Sequence, residues 1–380
     1  MMIIWPARSR KQNMCREVSL TGKRLLRFLP ILLVCAGLLV FSQASALAAA
    51  EAFQLWWNSV LPALFPFYLC TSILLRQGVL PVLSGTMRRP AALLRLPPEA
   101  LPCYILGGVA GYPTGARLSA ALGIPGYAAY CNLCSPMFLI AVIAAGMLNS
   151  RACVPLLCLA HYGSGLLLLL IAPRNTTAGT PAKQDADPQK GNGGPMRMVG
   201  DGMAAMLQIG GCIAAALVFS SLLKQFGLYA LLDASARRLG IPEGLLPALT
   251  QGLLEFTGGC KAICSLGLPL RTAATCCAFV ASFGGVCVFL QTRLFVSGGV
   301  RHYFSVKLLQ GAVAAVIAYL ATPLFLPTSA AVMHQQAETY AINALSGVSL
   351  LLASAVAVFA TYLGAITLTA VFRQTGSSGS

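Results

Sequence analysis

Arg117 and Glu255 are the two charges whose setting could do chemistry. Each bounds a run of small residues inside apolar sequence: Gly111-Tyr-Pro-Thr-Gly-Ala-Arg117 and Glu255-Phe-Thr-Gly-Gly-Cys-Lys261. Both runs pass through a Thr-Gly step, Thr114-Gly115 and Thr257-Gly258, and both end on a basic side chain. Pro113 has no backbone N–H, and Gly111 and Gly115 tolerate unusual dihedrals, so a helix should open there. An opened helix bares N–H groups, and the positive end of a half-helix favours an anion. Arg117 adds a planar fork suited to a carboxylate. No acidic residue occurs between Glu99 and Asp185, which leaves Arg117 without a carboxylate partner in its own part of the chain.

Glu255 is one of ten acidic residues, and it alone sits centrally within a segment expected at membrane depth. Ionisable groups inside membrane segments are candidates for function by default. Two roles suit Glu255: a carboxylate that couples protons or cations, or a counter-ion to Arg117 or Lys261 that a dianionic substrate displaces. The structural alternative is a buried Glu–Arg or Glu–Lys pair that fixes two parts of the chain together. Lys261 could neutralise a substrate carboxylate or snorkel to the interface. Exposed backbone at Gly111–Gly115, with Tyr112 among it, and at Gly258–Gly259 would complete a cradle. Thr114, Thr257, Asn132, Ser135 and Ser282 could hydrogen-bond a ligand or satisfy freed backbone. Gly107, Gly111 and Gly115 also form a small-residue ridge of the kind used for close helix packing.

The elements that must position these residues are apolar helices. The chain has 380 residues, 57% hydrophobic and 9% charged, with a mean hydropathy of +0.77. A soluble domain carries about 25% charged residues, so this composition cannot cover a water-facing surface. Runs of about 20 apolar residues are needed to span a bilayer. Candidates lie at 28–50, 55–75, 127–148, 153–172, 203–223, 272–295, 305–326 and 343–371. The stretches 100–122 and 244–268 are interrupted by Gly and Pro and read as re-entrant hairpins or broken helices. The fold class is therefore an all-α polytopic membrane protein.

The start of the chain is ambiguous. A basic tail, the apolar run Phe28–Phe41 and small residues at Ser42–Ala50 imitate a secretory signal peptide. An uncleaved first helix is the preferred reading, because the small residues run into Trp56-Trp57, which reads as an interfacial anchor. Basic residues in the tail predict a cytoplasmic N-terminus. Between Pro173 and Arg197 a polar, Gly-containing stretch reads as a flexible linker. The parts on either side resemble each other: Ser72–Gly78 matches Ser221–Gly227, Thr114-Gly115 matches Thr257-Gly258, and Ser135–Phe138 matches Ser282–Gly285. Repeats with paired broken helices are the build of many secondary transporters, whose sites lie between the halves near the midplane.

Other classes find little support. The formal net charge of +16 is scattered over segment ends and the tail, with no aromatic-and-basic groove, so nucleic acid is not an expected partner. Fourteen cysteines include Cys131-x-x-Cys134 and Cys260-x-x-x-Cys264, but they sit in apolar segments without a nearby His, and no metal is expected. His161, His302 and His334 are isolated and read as loop or interface positions. No nucleophile elbow, zinc-hydrolase helix, Walker loop or dinucleotide fingerprint occurs, so no enzyme activity and no cofactor is expected.

The residues Trp56–Phe67, Gly111–Arg117 and Glu255–Gly259 resemble those of the YlbJ-like sporulation integral membrane proteins, the stage V dipicolinate transporter family. The resemblance runs from about Ala48 to the last helix. It implies paired Gate, or nucleoside-recognition, domains similar to the hairpin-bearing halves of concentrative nucleoside transporters. The implied organisation is a basic cytoplasmic tail at 1–27, a first transmembrane helix at 28–50 and a first gate-like half at 51–172. A linker at 173–197, a second gate-like half at 198–330, a C-terminal loop and helix at 331–372 and a disordered tail at 373–380 complete it. It further implies a place in the outer forespore membrane and passage of dipicolinic acid from mother cell to forespore. Alternatives are a nucleoside or other metabolite transporter of the same fold, or a scaffold for a sporulation complex. The expected partners are a small anionic substrate and the lipid bilayer. Coupling to protons or Na+, and association into homo-oligomers or with other sporulation membrane proteins, stay open.

Overall fold

The computed structural model describes residues 28–29, 31–173, 195–296 and 302–326. The tail at 1–27, most of the 173–197 linker, the span expected at 343–371 and His334 lie outside the described residues. Among the described residues every regular element is a helix, and five helices are long and apolar enough to cross a membrane. The chain is an α-helical polytopic membrane protein. Residues up to Thr322 belong to one compact unit; the few described residues beyond it belong to a second.

The chain enters through α1 (Ile31–Val40) and α2 (Ser42–Leu55). The two spans expected at 28–50 and 55–75 are not separate. Ser42–Arg76 is one helical run of 35 residues, about 52 Å at 1.5 Å per residue, which exceeds a hydrocarbon core of about 30 Å. Alanine-rich sequence without a breaker carries α2 onward. A wide π-turn at Trp56–Val60 accommodates Pro62 at the start of α3 (Leu61–Arg76), and Pro66 lies inside that helix. A π-turn relieves the clash a proline makes with the preceding turn. Trp56 is not an interfacial anchor: it is buried and donates its indole N–H to the Met206 carbonyl at 3.0 Å. Its ring lies against Gly210, where a Cβ would come within 2.9 Å of it.

After α3 the chain turns at Gly78 (φ 78°) into an amphipathic helix, α4 (Val79–Leu93). A broken pair follows, α5 (Ala100–Ala110) and α6 (Thr114–Ala121), then α7 (Ala128–Cys131), a π-helix (Phe138–Met147) and α8 (Cys153–Leu170). The same order recurs beyond the linker. The long α9 (Pro195–Gln225) leads through Gly227 (φ 80°) to the amphipathic α10 (Leu228–Arg238). The broken pair α11 (Leu245–Leu254) and α12 (Phe256–Cys264) is followed by α13 (Leu270–Phe283), α14 (Gly285–Arg293) and α15 (Tyr303–Phe325). α9 packs along α2 and α3, α12 against the π-helix, and α13 against α8.

Two expected simple spans are broken. The segment at 127–148 opens over Asn132–Ser135, and that at 272–295 breaks at Gly284 (φ 81°). In the first, Pro136 removes an N–H and Ser135 Oγ caps the next helix by accepting from Phe138 N–H at 3.2 Å. In the second, consecutive glycines at positive φ take a conformation other residues rarely adopt. Neither interruption carries the Gly-Pro density that marks the two hairpins.

Candidate functional site

The two sequence motifs lie at the breaks of the hairpins. α5 ends at Gly111 (φ 82°, ψ 177°), a conformation essentially restricted to glycine, and α6 begins after Pro113. α11 ends at Glu255, whose extended backbone (φ −147°, ψ 117°) ends one half-helix and caps the next. The Glu255 carboxylate accepts from Thr257 N–H at 2.8 Å and Gly258 N–H at 2.6 Å. It satisfies two orphan donors of α12 and sits at that helix's positive end. The residue is fully buried, and no cation lies within ion-pair distance of it among the described residues.

Glycine lets each hairpin close. A Cβ on Gly115 would stand 1.9 Å from the Cys131 carbonyl oxygen, and one on Gly259 would stand 2.1 Å from Gly252 Cα. The Gly107–Gly115 ridge is therefore a packing surface as well as part of the motif: at Gly107 a Cβ would meet the same Cys131 oxygen at 2.3 Å. Gly111 serves similarly, since its Cβ would stand 2.8 Å from Ser135 Cβ.

The hairpins meet. The Tyr112 and Phe256 rings are 5.6 Å apart, and the Tyr112 hydroxyl donates to the Ala281 carbonyl at 3.0 Å. Tyr112, Ser135, Glu255 and Thr257 line one cavity of about 20 Å³, with Phe138 and Gln291. A second cavity of about 10 Å³ is lined by Tyr68, Thr114, Arg117 and Gln208. Ile209 and Gln291 line both, so the two adjoin. Each has room for about one water. Arg117 is half-buried and donates to the Tyr68 hydroxyl at 2.5 Å. No carboxylate among the described residues is within ion-pair distance of Arg117.

The remaining predicted residues divide. Ser282 and Asn132 are buried in the interhelical network rather than at a cavity wall. Asn132 donates to Thr292 Oγ1 at 3.1 Å and to the Tyr303 hydroxyl at 3.0 Å. Gly258 and Gly259 are buried at the start of α12. Lys261 is exposed on α12 and lines neither cavity; the small residues before it hold the hairpin closed and turn its side chain outward.

Two residues were misread or missed. His161 is neither in a loop nor at an interface: it lies buried on α8 between the two later breaks. Its Nε2 accepts from Cys134 N–H at 3.0 Å, which leaves Nδ1–H to donate to Ser282 Oγ at 2.8 Å. The backbone donor thus fixes the neutral tautomer. Lys307, on α15, is fully buried and donates to the Asn132 carbonyl at 2.9 Å and to Gln310 Oε1 at 2.6 Å. Lys307 is the one charged residue of Tyr303–Phe325. The rule that singled out Glu255 would have found it, but its place near the span's start reads as a snorkelling end. Freed backbone at the breaks is thereby satisfied: Asn132 O by Lys307, Cys134 N–H by His161, Cys134 O by Tyr162, and Ala281 O by Tyr112.

Broken helices facing one another across a bundle of apolar spans, with polar groups gathered at the breaks, define a polytopic membrane protein with an intramembrane polar centre. The chain is 26% identical over 329 residues to the sporulation integral membrane protein YlbJ of Bacillus subtilis (strain 168), an alignment covering 76% of this chain and 80% of that protein. The chain is thus similar to a member of the family its motifs resemble. No family model matches the chain. No solved structure matches it either.

Proposed function

We propose that the chain is a carrier of a small anionic metabolite in a membrane of the sporulating cell, with dipicolinic acid moving from mother cell toward forespore as its substrate. The similarity to a sporulation integral membrane protein supports the membrane and sporulation parts of this reading. The observation that carries the anion is Arg117: a half-buried guanidinium beside a cavity at the N-terminal end of α6, with no carboxylate partner among the described residues. Apart from the neutral Tyr68 hydroxyl its charge is uncompensated among the described residues, and such an arginine at membrane depth is costly unless it serves a ligand. Its fork and the half-helix end both favour a carboxylate.

In this carrier Arg117 and Thr114 receive one carboxylate, and the adjoining cavity at Tyr112, Ser135 and Thr257 receives the rest of the ring. The cavities are too small for a metabolite as they stand, so binding requires the hairpins to part. Glu255, which holds the N-terminus of α12, is the group whose release would couple that movement to protonation or to substrate charge. The repeated element order suits the alternating access of an inverted-repeat transporter, and the outer forespore membrane is its proposed location.

The test is uptake of labelled dipicolinate into proteoliposomes that contain the purified protein, with uridine as competitor. Saturable dipicolinate uptake supports the carrier and its substrate. Uptake of uridine alone would keep the transporter and overturn the substrate. No uptake of either, with a proton gradient imposed in each direction, would favour a scaffold.

A further inference from the structure

We propose that the Lys307 ammonium is a tethered substitute for a coupling cation, so that the chain carries its own cation at the Asn132 break and needs no free Na+ or K+ there. The ligands around Nζ are those of a cation site rather than of an ion pair. They are a backbone carbonyl freed by the break, Asn132 O at 2.9 Å, and a neutral side-chain oxygen, Gln310 Oε1 at 2.6 Å. The face of Tyr112 covers a further side, with its centroid 5.2 Å away, within cation–π reach. No carboxylate among the described residues lies within ion-pair distance. A buried ammonium of this kind persists only where such oxygens replace its hydration.

Secondary transporters bind coupling ions through unwound backbone carbonyls at broken helices near the substrate. Here that position is occupied from α15 by a side chain of the same chain. The geometry also orients the second ligand. Gln310 Nε2 faces the His161 carbonyl, at 3.4 Å, which aims Oε1 at the ammonium. Asn132 Oδ1, buried at the same break, has no hydrogen-bond partner, and it offers an oxygen to an ion that entered in place of the lysine. Tyr112 links the two sites, because its ring faces Lys307 and also lines the Glu255 cavity.

The inference rests on the carrier reading for its consequence in transport, but the ion site is tested by stability without any transport. Melting temperatures of the purified full chain are compared in NaCl, KCl and choline chloride at equal ionic strength. The wild type should melt alike in all three. Lys307→Ala should melt lower and regain at least half of that loss in NaCl or KCl but not in choline chloride. Lys307→Met, which refills the space with an apolar chain, should not respond to the ion. Lys307→Ser serves if the alanine variant does not accumulate. A stabilising response of the wild type to Na+ or K+ would overturn the proposal. So would equal behaviour of Lys307→Ala in all three salts, even if propylammonium rescued it, since that marks a structural tether only. An ion response in Lys307→Met would locate the cation elsewhere and also overturn it. Dipicolinate uptake by the wild type should be as fast in choline as in Na+; absent uptake with the melting pattern intact would sink the carrier and leave the ion site standing.

Discussion

The two hairpins share a build and differ in charge. Both break between half-helices, both close through a glycine that admits another backbone, and both place a Thr-Gly step at the start of the second half-helix. In α11–α12 the chain supplies its own anion: Glu255 occupies the N–H groups of Thr257 and Gly258. In α5–α6 the matching position has Tyr112-Pro113 and no acid, while Arg117 faces a cavity. One hairpin is closed on an internal carboxylate; in the other the matching Thr114 N–H is taken by the Gly111 carbonyl at 2.8 Å, and the charge at the cavity is the Arg117 guanidinium. The asymmetry suits the proposed carrier, because an anionic substrate would meet a cation at the first hairpin and a carboxylate at the second.

The largest effect should come from breaking what the hairpins share. Gly115→Ala and Gly259→Ala each place a methyl within about 2 Å of backbone and should cost about 3 kcal/mol or more. Thermal unfolding in detergent reads this, and near-wild-type melting of either variant would contradict the packing. Next comes the difference itself. Arg117→Ala should weaken dipicolinate binding about 10- to 100-fold, the worth of a charged hydrogen bond of about 1.5–3 kcal/mol, with membrane abundance unchanged.

Removing the internal anion should have the opposite character. Glu255→Ala should lose about 1–2 kcal/mol with its cap, and added acetate should restore part of that by occupying the vacated N–H groups. Acetate without effect on Glu255→Ala beyond its effect on wild type would deny that the carboxylate fills an anion seat. His161→Ala strands Cys134 N–H and Ser282 and should cost about 1–3 kcal/mol. The smallest effect should be Lys261→Ala, exposed on α12, within about 0.5 kcal/mol of wild type and with uptake unchanged.

How much of this was legible in the sequence follows from what each feature looks like locally. The hairpin breaks were legible because Gly111, Pro113 and the Gly258-Gly259 pair are local signals of unwound backbone. The breaks at Asn132–Ser135 and Gly284 were not, since each is made by tertiary bonds: Lys307, His161 and Tyr162 satisfy the first from α15 and α8. The continuity of Ser42–Arg76 was hidden because Trp56-Trp57 resembles a membrane-interface anchor. The contact with Gly210 and the bond to the Met206 carbonyl, both on α9, make Trp56 a packing site. Among candidate site residues, Arg117, Tyr112, Pro113, Thr114, Ser135, Glu255 and Thr257 reach a cavity wall. Lys261 does not, because its motif spacing says nothing about which face of α12 it occupies. Lys307 and His161 stand outside any motif, and each has a partner more than a hundred positions away, Asn132 for Lys307 and Ser282 for His161.

The measurement that tests the asymmetry most directly is equilibrium binding of dipicolinate to the purified full chain, with Arg117→Ala and Lys261→Ala compared side by side. The account predicts that Arg117→Ala loses binding while Lys261→Ala keeps the wild-type affinity. Wild-type binding by Arg117→Ala, or a loss confined to Lys261→Ala, would contradict it and move the anion site to the second hairpin.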